Sequence, residues 1–159
     1  VASTEPALHL ALVEPEIHWN TGNTGRSCLA AGAQLHLVAP LGFSLEAKEV
    51  RRAGLDYWPR VDPRVWPSLD AFEAALPGLG TPFLVSPEAE RLYWEVQYPP
   101  QVVLMLGRES TGFSPEVRRR YADRMVRIPM QDPLLRSVNV STCAALVMFE
   151  VLRQRARGS

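Results

Sequence analysis

Apolar and polar positions change their period repeatedly along this chain. Leu8 to Val13 and Gln34 to Val38 are short apolar runs of strand length, with a helical segment from about Asn23 to Ala31 between them. Gly32 is placed to end that helix, and Ser44 to cap a short one running to Ala53 before Gly54. Tyr57 to Val61 reads as a short third strand. Leu69 to Leu76 has helical spacing, with Pro77, Gly78 and Gly80 breaking the chain after it. Pro82 to Val85 and Val102 to Leu106 are unbroken apolar runs, the signature of parallel strands covered on both faces. Met125 to Ile128 is the last predicted strand. Val140, Ala144, Val147, Met148, Val151 and Leu152 recur at three- and four-residue steps, which predicts a long closing helix with one apolar face.

Strands alternating with helices define an α/β domain with a mostly parallel sheet flanked by helices. Such sheets bind ligands beyond the carboxyl ends of their strands, so the residues that follow each strand carry the chemistry. After the first strand come Glu14, Asn20, Asn23 and Arg26. Ser86 follows the fourth. Gly107-Arg108-Glu109-Ser110-Thr111-Gly112 follows the fifth, and the loop from Pro129 to Ser141 follows the last. Ser137, Asn139 and Ser141 are more small polar groups than the start of one helix requires, which points to a ligand-holding loop.

Composition narrows the reading. A chain of 159 residues with 47% apolar content is most simply one domain, covering residues 1 to 159 with its core at about 8 to 155. No apolar run reaches membrane-spanning length, and no basic segment leads into an apolar one at the N-terminus; a cytoplasmic protein is the expectation. Cys28 and Cys143 have no metal-ligand spacing, which predicts two buried thiols. His9, His18 and His36 also lack such spacing, and no metal is expected. His9 and His36 fall within predicted strands, where structural roles are expected. The net charge is zero, yet Lys48 is the single lysine among 17 basic residues. Arg118, Arg119, Arg120, Arg124 and Arg127 cluster against Asp123 alone, either as a phosphate-facing patch or as a solvated helix face.

The individual signals leave alternatives open. Asn20-Thr21-Gly22-Asn23-Thr24-Gly25-Arg26 is neither GxGxxG nor a phosphate loop, which disfavours an ordinary dinucleotide or ATP site. Asn20 or Asn23 would serve as a helix cap. Arg26, near the positive end of the predicted helix, gains nothing from the dipole and points to a role on a phosphate or reacting group. Gly107 permits close approach of a ligand to backbone, while Glu109 has structural readings, on the surface or paired with Arg26. Ser141 is a candidate cap for the closing helix, with Asn139 serving loop backbone. Ser114-Pro115-Glu116 reads as a cap with proline in the first turn.

Taken together, Glu14-Pro15-Glu16-Ile17, Asn20-Thr21-Gly22-Asn23, Arg26, Arg51-Arg52-Ala53-Gly54-Leu55-Asp56-Tyr57, Gly107-Arg108-Glu109-Ser110-Thr111-Gly112, Ile128-Pro129-Met130 and Ser137-Val138-Asn139-Val140-Ser141 resemble the SPOUT-class RNA methyltransferases. The likeness is greatest to the small single-domain tRNA (cytidine/uridine-34-2'-O)-methyltransferase family and spans about residues 8 to 155. His18-Trp19 departs from it, standing where those relatives commonly carry Pro-Pro.

The resemblance implies a C-terminal deep trefoil knot, a path that ordinary connection rules would not yield. It implies S-adenosylmethionine as cofactor, S-adenosylhomocysteine as product, tRNA as substrate, and a homodimer built largely on the closing helix and its neighbours. It assigns cofactor contacts to Val85, Ser86, Gly107, Ile128, Met130 and Ser137. Arg26 would lie near the ribose 2'-oxygen, with Asn20, Glu109, Asn139 and Ser141 shaping the catalytic pocket. The alternatives are a 2'-O-methyltransferase for another tRNA position or rRNA, and a noncatalytic RNA-binding protein of the same fold.

Overall fold

A computed structural model of the chain describes residues 6–46 and 56–158. Six strands, β1 (Leu8–Val13), β2 (Gln34–Val38), β3 (Arg64–Trp66), β4 (Thr81–Val85), β5 (Val102–Leu106) and β6 (Met125–Val126), form one sheet in the order β3-β2-β1-β5-β4-β6. Every pairing is parallel, with Leu10 level with Leu35 on one side and Leu104 on the other. The described helices are α1 (His18–Ala31), α2 (Trp58–Val61), α3 (Leu69–Leu79), α4 (Pro115–Arg120) and α5 (Val140–Gly158), with a 3₁₀ turn at Ala122–Arg124.

Strand alternation sorts the core into two layers. Leu8, Leu10, Leu12, Leu35, Leu37 and Leu104 face α1 and α5, meeting Cys28, Cys143, Ala144, Val147, Met148 and Val151. Ala11, Val13, Val38, Val103 and Met105 face the other way, onto Phe72, Leu76 and Leu79 of α3 and Val117 of α4. Both cysteines are buried thiols, as expected; desolvation pushes Cys28 up to about 12 and Cys143 up to about 11. Each fully buried aliphatic side chain contributes roughly 1.5–3 kcal/mol, so α5, with Val147 and Met148 at zero exposure, is fixed to the sheet by its apolar face.

Several boundaries differ from the sequence reading. Tyr57 to Val61 is not a strand: α2 occupies Trp58–Val61, because Pro59 lacks the ladder N–H and its fixed φ suits a first helical turn. Trp58 and Val61 then pack at one-turn spacing against Gly25, where a Cβ would lie 2.8 Å from the indole. The true third strand is Arg64–Trp66. Helix α3 runs through Pro77 and Gly78 and stops at Gly80, whose φ of 152° and close approach to the Gln101 backbone suit glycine. The last strand is shorter than Met125 to Ile128, because Arg127 leaves β4 to pair with Arg91 and Tyr93. Gly32 ends α1 with φ 72°, and Ser114 caps α4, as the sequence predicts. Ser44 Oγ accepts from Glu46 N at 3.1 Å; most of the helix expected from Ser44 to Ala53 lies outside the described residues.

His9 and His36 are structural. Trp66 Nε1–H donates to His36 Nδ1 at 3.0 Å, so the neutral ring carries its proton on Nε2 and donates that to His9 Nδ1 at 2.9 Å. Burial, then His9 and Arg64, push His36 down to about 3 from its ordinary 6.5. Between those values the unfolded chain binds a proton that the folded chain refuses, so stability falls as pH falls, by about 1.4 kcal/mol per pH unit. Lowering the pH from about 7.5 to about 5 should cost about 2 kcal/mol through this group. Urea titrations at the two pH values should show that loss in the wild type and a flatter dependence in His36→Gln.

Candidate active site

The carboxyl ends of β1, β4, β5 and β6 open onto a cleft of about 520 Å³, walled by the segments that follow those strands. It lies where a parallel sheet is expected to hold its ligand, and its size suits a small organic molecule.

One wall is ordered by Glu109. Its Oε1 accepts Glu16 N–H at 2.9 Å, and its Oε2 accepts Ile17 N–H at 3.0 Å and Asn20 Nδ2 at 3.3 Å. The chain leading into α1 is therefore held at the Glu16 and Ile17 N–H groups by a loop some ninety positions away, and Ile17 makes no side-chain cap of its own. Because a carboxylate accepts only, Asn20 must present its amide nitrogen to Glu109 and its oxygen to the other side. That oxygen accepts Asn139 Nδ2 at 2.9 Å, and Asn139 Oδ1 in turn accepts Ser141 N–H at 2.9 Å and Ser141 Oγ–H at 2.6 Å. Glu109, Asn20, Asn139 and Ser141 thus form one directed chain joining β5's loop, α1 and α5. Neighbouring contacts reinforce it: Arg108 pairs with Glu14 at 3.1 Å, and Ser110 donates its N–H and hydroxyl to Glu16. The Ser110 N–H and then its hydroxyl hold Glu16 below the usual carboxylate range.

These bonds revise three local expectations. Neither Asn20 nor Asn23 is the cap of α1, since the helix begins earlier, at His18, and Asn20 is 3% exposed inside its first turn. Ser141 is not the cap of α5; Asn139 fills that place by accepting the Ser141 N–H. Glu109 bonds backbone and Asn20, while the Arg26 guanidinium lies 5.9 Å over the Tyr57 ring. With α1 starting at His18, Arg26 stands mid-helix rather than at the positive end.

The opposite wall gathers Val85, Ser86, Gly107, Ile128, Met130 and Ser137. A Cβ on Gly107 would come within 2.6 Å of Gly112 C, so only glycine lets the 107–112 loop close on itself. Ser86 is buried, its N–H donates to Val126 O at 2.9 Å, and its hydroxyl donates to Glu88. That hydroxyl, with Arg118 Nη1 at 2.9 Å on the other carboxylate oxygen, holds Glu88 below the usual range, so a negative charge sits at the cleft's edge. Arg26 and Ser141 are not among the cleft-lining residues. Glu88, Arg108 and Arg136 are; Arg108 stands in the Gly107–Gly112 motif of the family likeness without a role of its own, and Glu88 and Arg136 are assigned none. Part of the basic 118–127 cluster is paired, Arg118 with Glu88 and Arg120 with Glu73 and Glu116.

Apolar Val85, Leu106, Ile128 and Val138 lie beside polar Ser86, Ser137 and Asn139 around the backbone of Gly107. That donor set suits a flat heterocycle carrying a polar, charged tail. The arrangement is that of an α/β protein with a ligand cleft at its strand ends. The chain belongs to the SpoU methylase family: the model of the SpoU rRNA Methylase family matches residues 7–149. A tRNA (cytidine(34)-2'-O)-methyltransferase of Burkholderia pseudomallei is 40% identical over 148 residues, 92% of this chain and 94% of that protein. A structure solved for insight into the 2-OH methylation of C/U34 on tRNA is 39% identical, covers 97% of this chain and 94% of that one, and has a TM-score of 0.86. The SpoU methyltransferase AviRb from Streptomyces viridochromogenes, solved in complex with AdoMet, shares the fold at 24% identity and a TM-score of 0.77, covering 99% of this chain and 61% of that one.

Glu109→Ala should free two backbone donors and Asn20 at once, lowering stability by about 2 kcal/mol and Tm by roughly 4–8 °C. Scanning calorimetry measures it, and Glu109→Gln, which keeps one acceptor, should lose less.

Proposed function

We propose that this chain transfers a methyl group from S-adenosylmethionine to a ribose 2'-hydroxyl of tRNA, at wobble nucleotide 34. The observation that carries the reading is the chain Glu109–Asn20–Asn139, lining a heterocycle-sized cleft in a member of a methylase family. Relatives near 40% identity across nearly the full chain carry that activity in their names. The cofactor, when bound, supplies an electrophilic methyl on a sulfonium. Val85, Gly107, Ile128 and Ser137 would hold it by shape and backbone, with Ser86 and Met130 completing the wall.

The residues on the other wall position the acceptor. Both oxygens of Glu109 already receive donors, so its task is to fix Asn20 and the start of α1 rather than to exchange protons. A guanidinium is a fixed cation with five donors and no acceptor, which suits Arg26 to a phosphate and to charge developing on the 2'-oxygen rather than to proton abstraction. It lies outside its own chain's cleft, so substrate or a second copy must bring it to the reacting oxygen.

A homodimer on α5 and its neighbours fits the exposure of Leu146 and Phe149 on a helix whose other face is core. The strand order, with β6 at the edge beside β4 and the closing helix α5 packed on α1, is compatible with a trefoil knot at the C-terminal end of a single domain. Among the described residues no helix is long and apolar enough to cross a membrane; a cytoplasmic place of work is part of the proposed reading. A second reading, methylation of rRNA or another tRNA site, takes its support from the family description.

With tRNA and rRNA both offered, labelled methyl groups should pass from cofactor to tRNA and map to 2'-O-methylated nucleotide 34; label at another tRNA site or in rRNA selects the second reading, and label in neither rejects both. Arg26→Ala should reduce turnover about a hundredfold or more while calorimetry finds cofactor affinity unchanged. Ser137→Phe should do the reverse first, weakening cofactor binding; equal affinity would exclude Ser137 from the pocket.

A further inference from the structure

Helix α1 is unusual in what it buries and what it leaves outside. Its inner face is small and polar, with Asn20, Thr21, Thr24, Gly25 and Cys28 packed inward. Its outer face carries Trp19, Asn23, Arg26 and Ala30, all exposed and spaced by four, three and four residues, which places them in one row. Trp19 is 58% exposed, although an indole gains several kcal/mol by burial in a core of this size. It adjoins Asn20 and stands two residues from Ile17, both of which line the cleft.

The row is also held still. Glu109 fixes the turn from which Trp19 projects. His18 meets the indole edge-on, with centroids 5.0 Å apart and planes at 80°. Two turns on, about 10 Å along the axis, the Arg26 guanidinium lies over the Tyr57 ring, whose hydroxyl donates to Gly22 O at 2.9 Å.

We propose that Trp19 is a stacking platform for an unpaired base of the RNA substrate, with Asn23 and Arg26 following the same strand. An aromatic face, an amide and a cation in one row offer a base plane, a hydrogen-bonding group and a phosphate contact, the combination by which proteins grip single-stranded nucleic acid. A second protein would call instead for a contiguous apolar patch, and here one indole is followed by polar and charged groups. The inference rests on the RNA-methylating reading and adds which part of the chain holds the nucleotide loop outside the cleft.

The test is binding of a hairpin RNA with an anticodon-sized loop, set beside its stem as a blunt duplex. Trp19→Ala should weaken hairpin binding about tenfold or more, leave the duplex unaffected, and keep cofactor affinity and sedimentation unchanged. Trp19→Phe should restore most of the loss, and the quenching of tryptophan emission by hairpin RNA should shrink in that variant. Hairpin affinity unchanged in Trp19→Ala overturns the proposal. So does loss of self-association in step with RNA affinity, because a second copy would then cover the indole. A wild type that methylates nucleotide 34 while Trp19→Ala binds normally defeats this inference alone. A wild type that grips the loop through Trp19 yet transfers no methyl defeats only the reading beneath it.

Discussion

The carboxylate of Glu109 is the contact on which the site's geometry depends. Helix α1 starts at His18 with no side chain of its own to satisfy its leading N–H groups. Glu109, from the loop after β5, accepts the N–H groups of Glu16 and Ile17 that lead into the helix, so the position of the helix is tied to the position of that loop. An acceptor-only group at this point also polarises everything downstream: it dictates which end of Asn20 faces which neighbour, and through Asn139 it dictates how α5 begins. Three segments far apart in sequence are held by one directed series of hydrogen bonds.

That arrangement accounts for the composition of α1. A helix covering a parallel sheet ordinarily turns a broad apolar stripe inward, whereas the buried residues of α1 include Asn20, Thr21, Thr24, Gly22 and Gly25. Small side chains let α2 and α5 approach closely, as Gly25 does beneath Trp58; Thr24 donates to Asn20 O within the helix and the Asn20 amide finds partners across the cleft. The apolar adhesion is supplied from elsewhere, mainly by α5, with Ala144, Val147 and Met148 fully buried. The division leaves α1 free to carry polar groups on both of its faces.

Charge is distributed with comparable economy. The protein has no net charge, and ion pairs hold part of its arginine-rich surface, so attraction for a polyanion is local rather than general. Glu88 links two regions: it takes a hydrogen bond from Ser86 at the cleft and an ion pair from Arg118 on α4. Exposed pairs of this kind contribute little to stability, and their main structural effect is to fix orientation at the cleft's edge.

The sequence by itself determined the class of fold, because strand-length apolar runs alternating with helical periods have few solutions. Val102–Leu106 was legible to the residue and Gly32 as a stop, since both follow from local sterics and hydropathy. Tyr57 to Val61 differs because a stretch that short satisfies either period, and Pro59 decides only once Trp58 has a surface to pack on. The clustering of Asn20, Glu109 and Asn139 was legible as polar groups after strands and as a family likeness. Their mutual bonds were not, because a hydrogen bond between residues 89 or 119 positions apart is set by how strands pair. Tertiary structure alone decided that Asn139 rather than Ser141 caps α5, that Glu109 holds the chain leading into α1, and that Arg26 stands outside its own cleft. Each of these depends on distance in space, which local pattern does not encode.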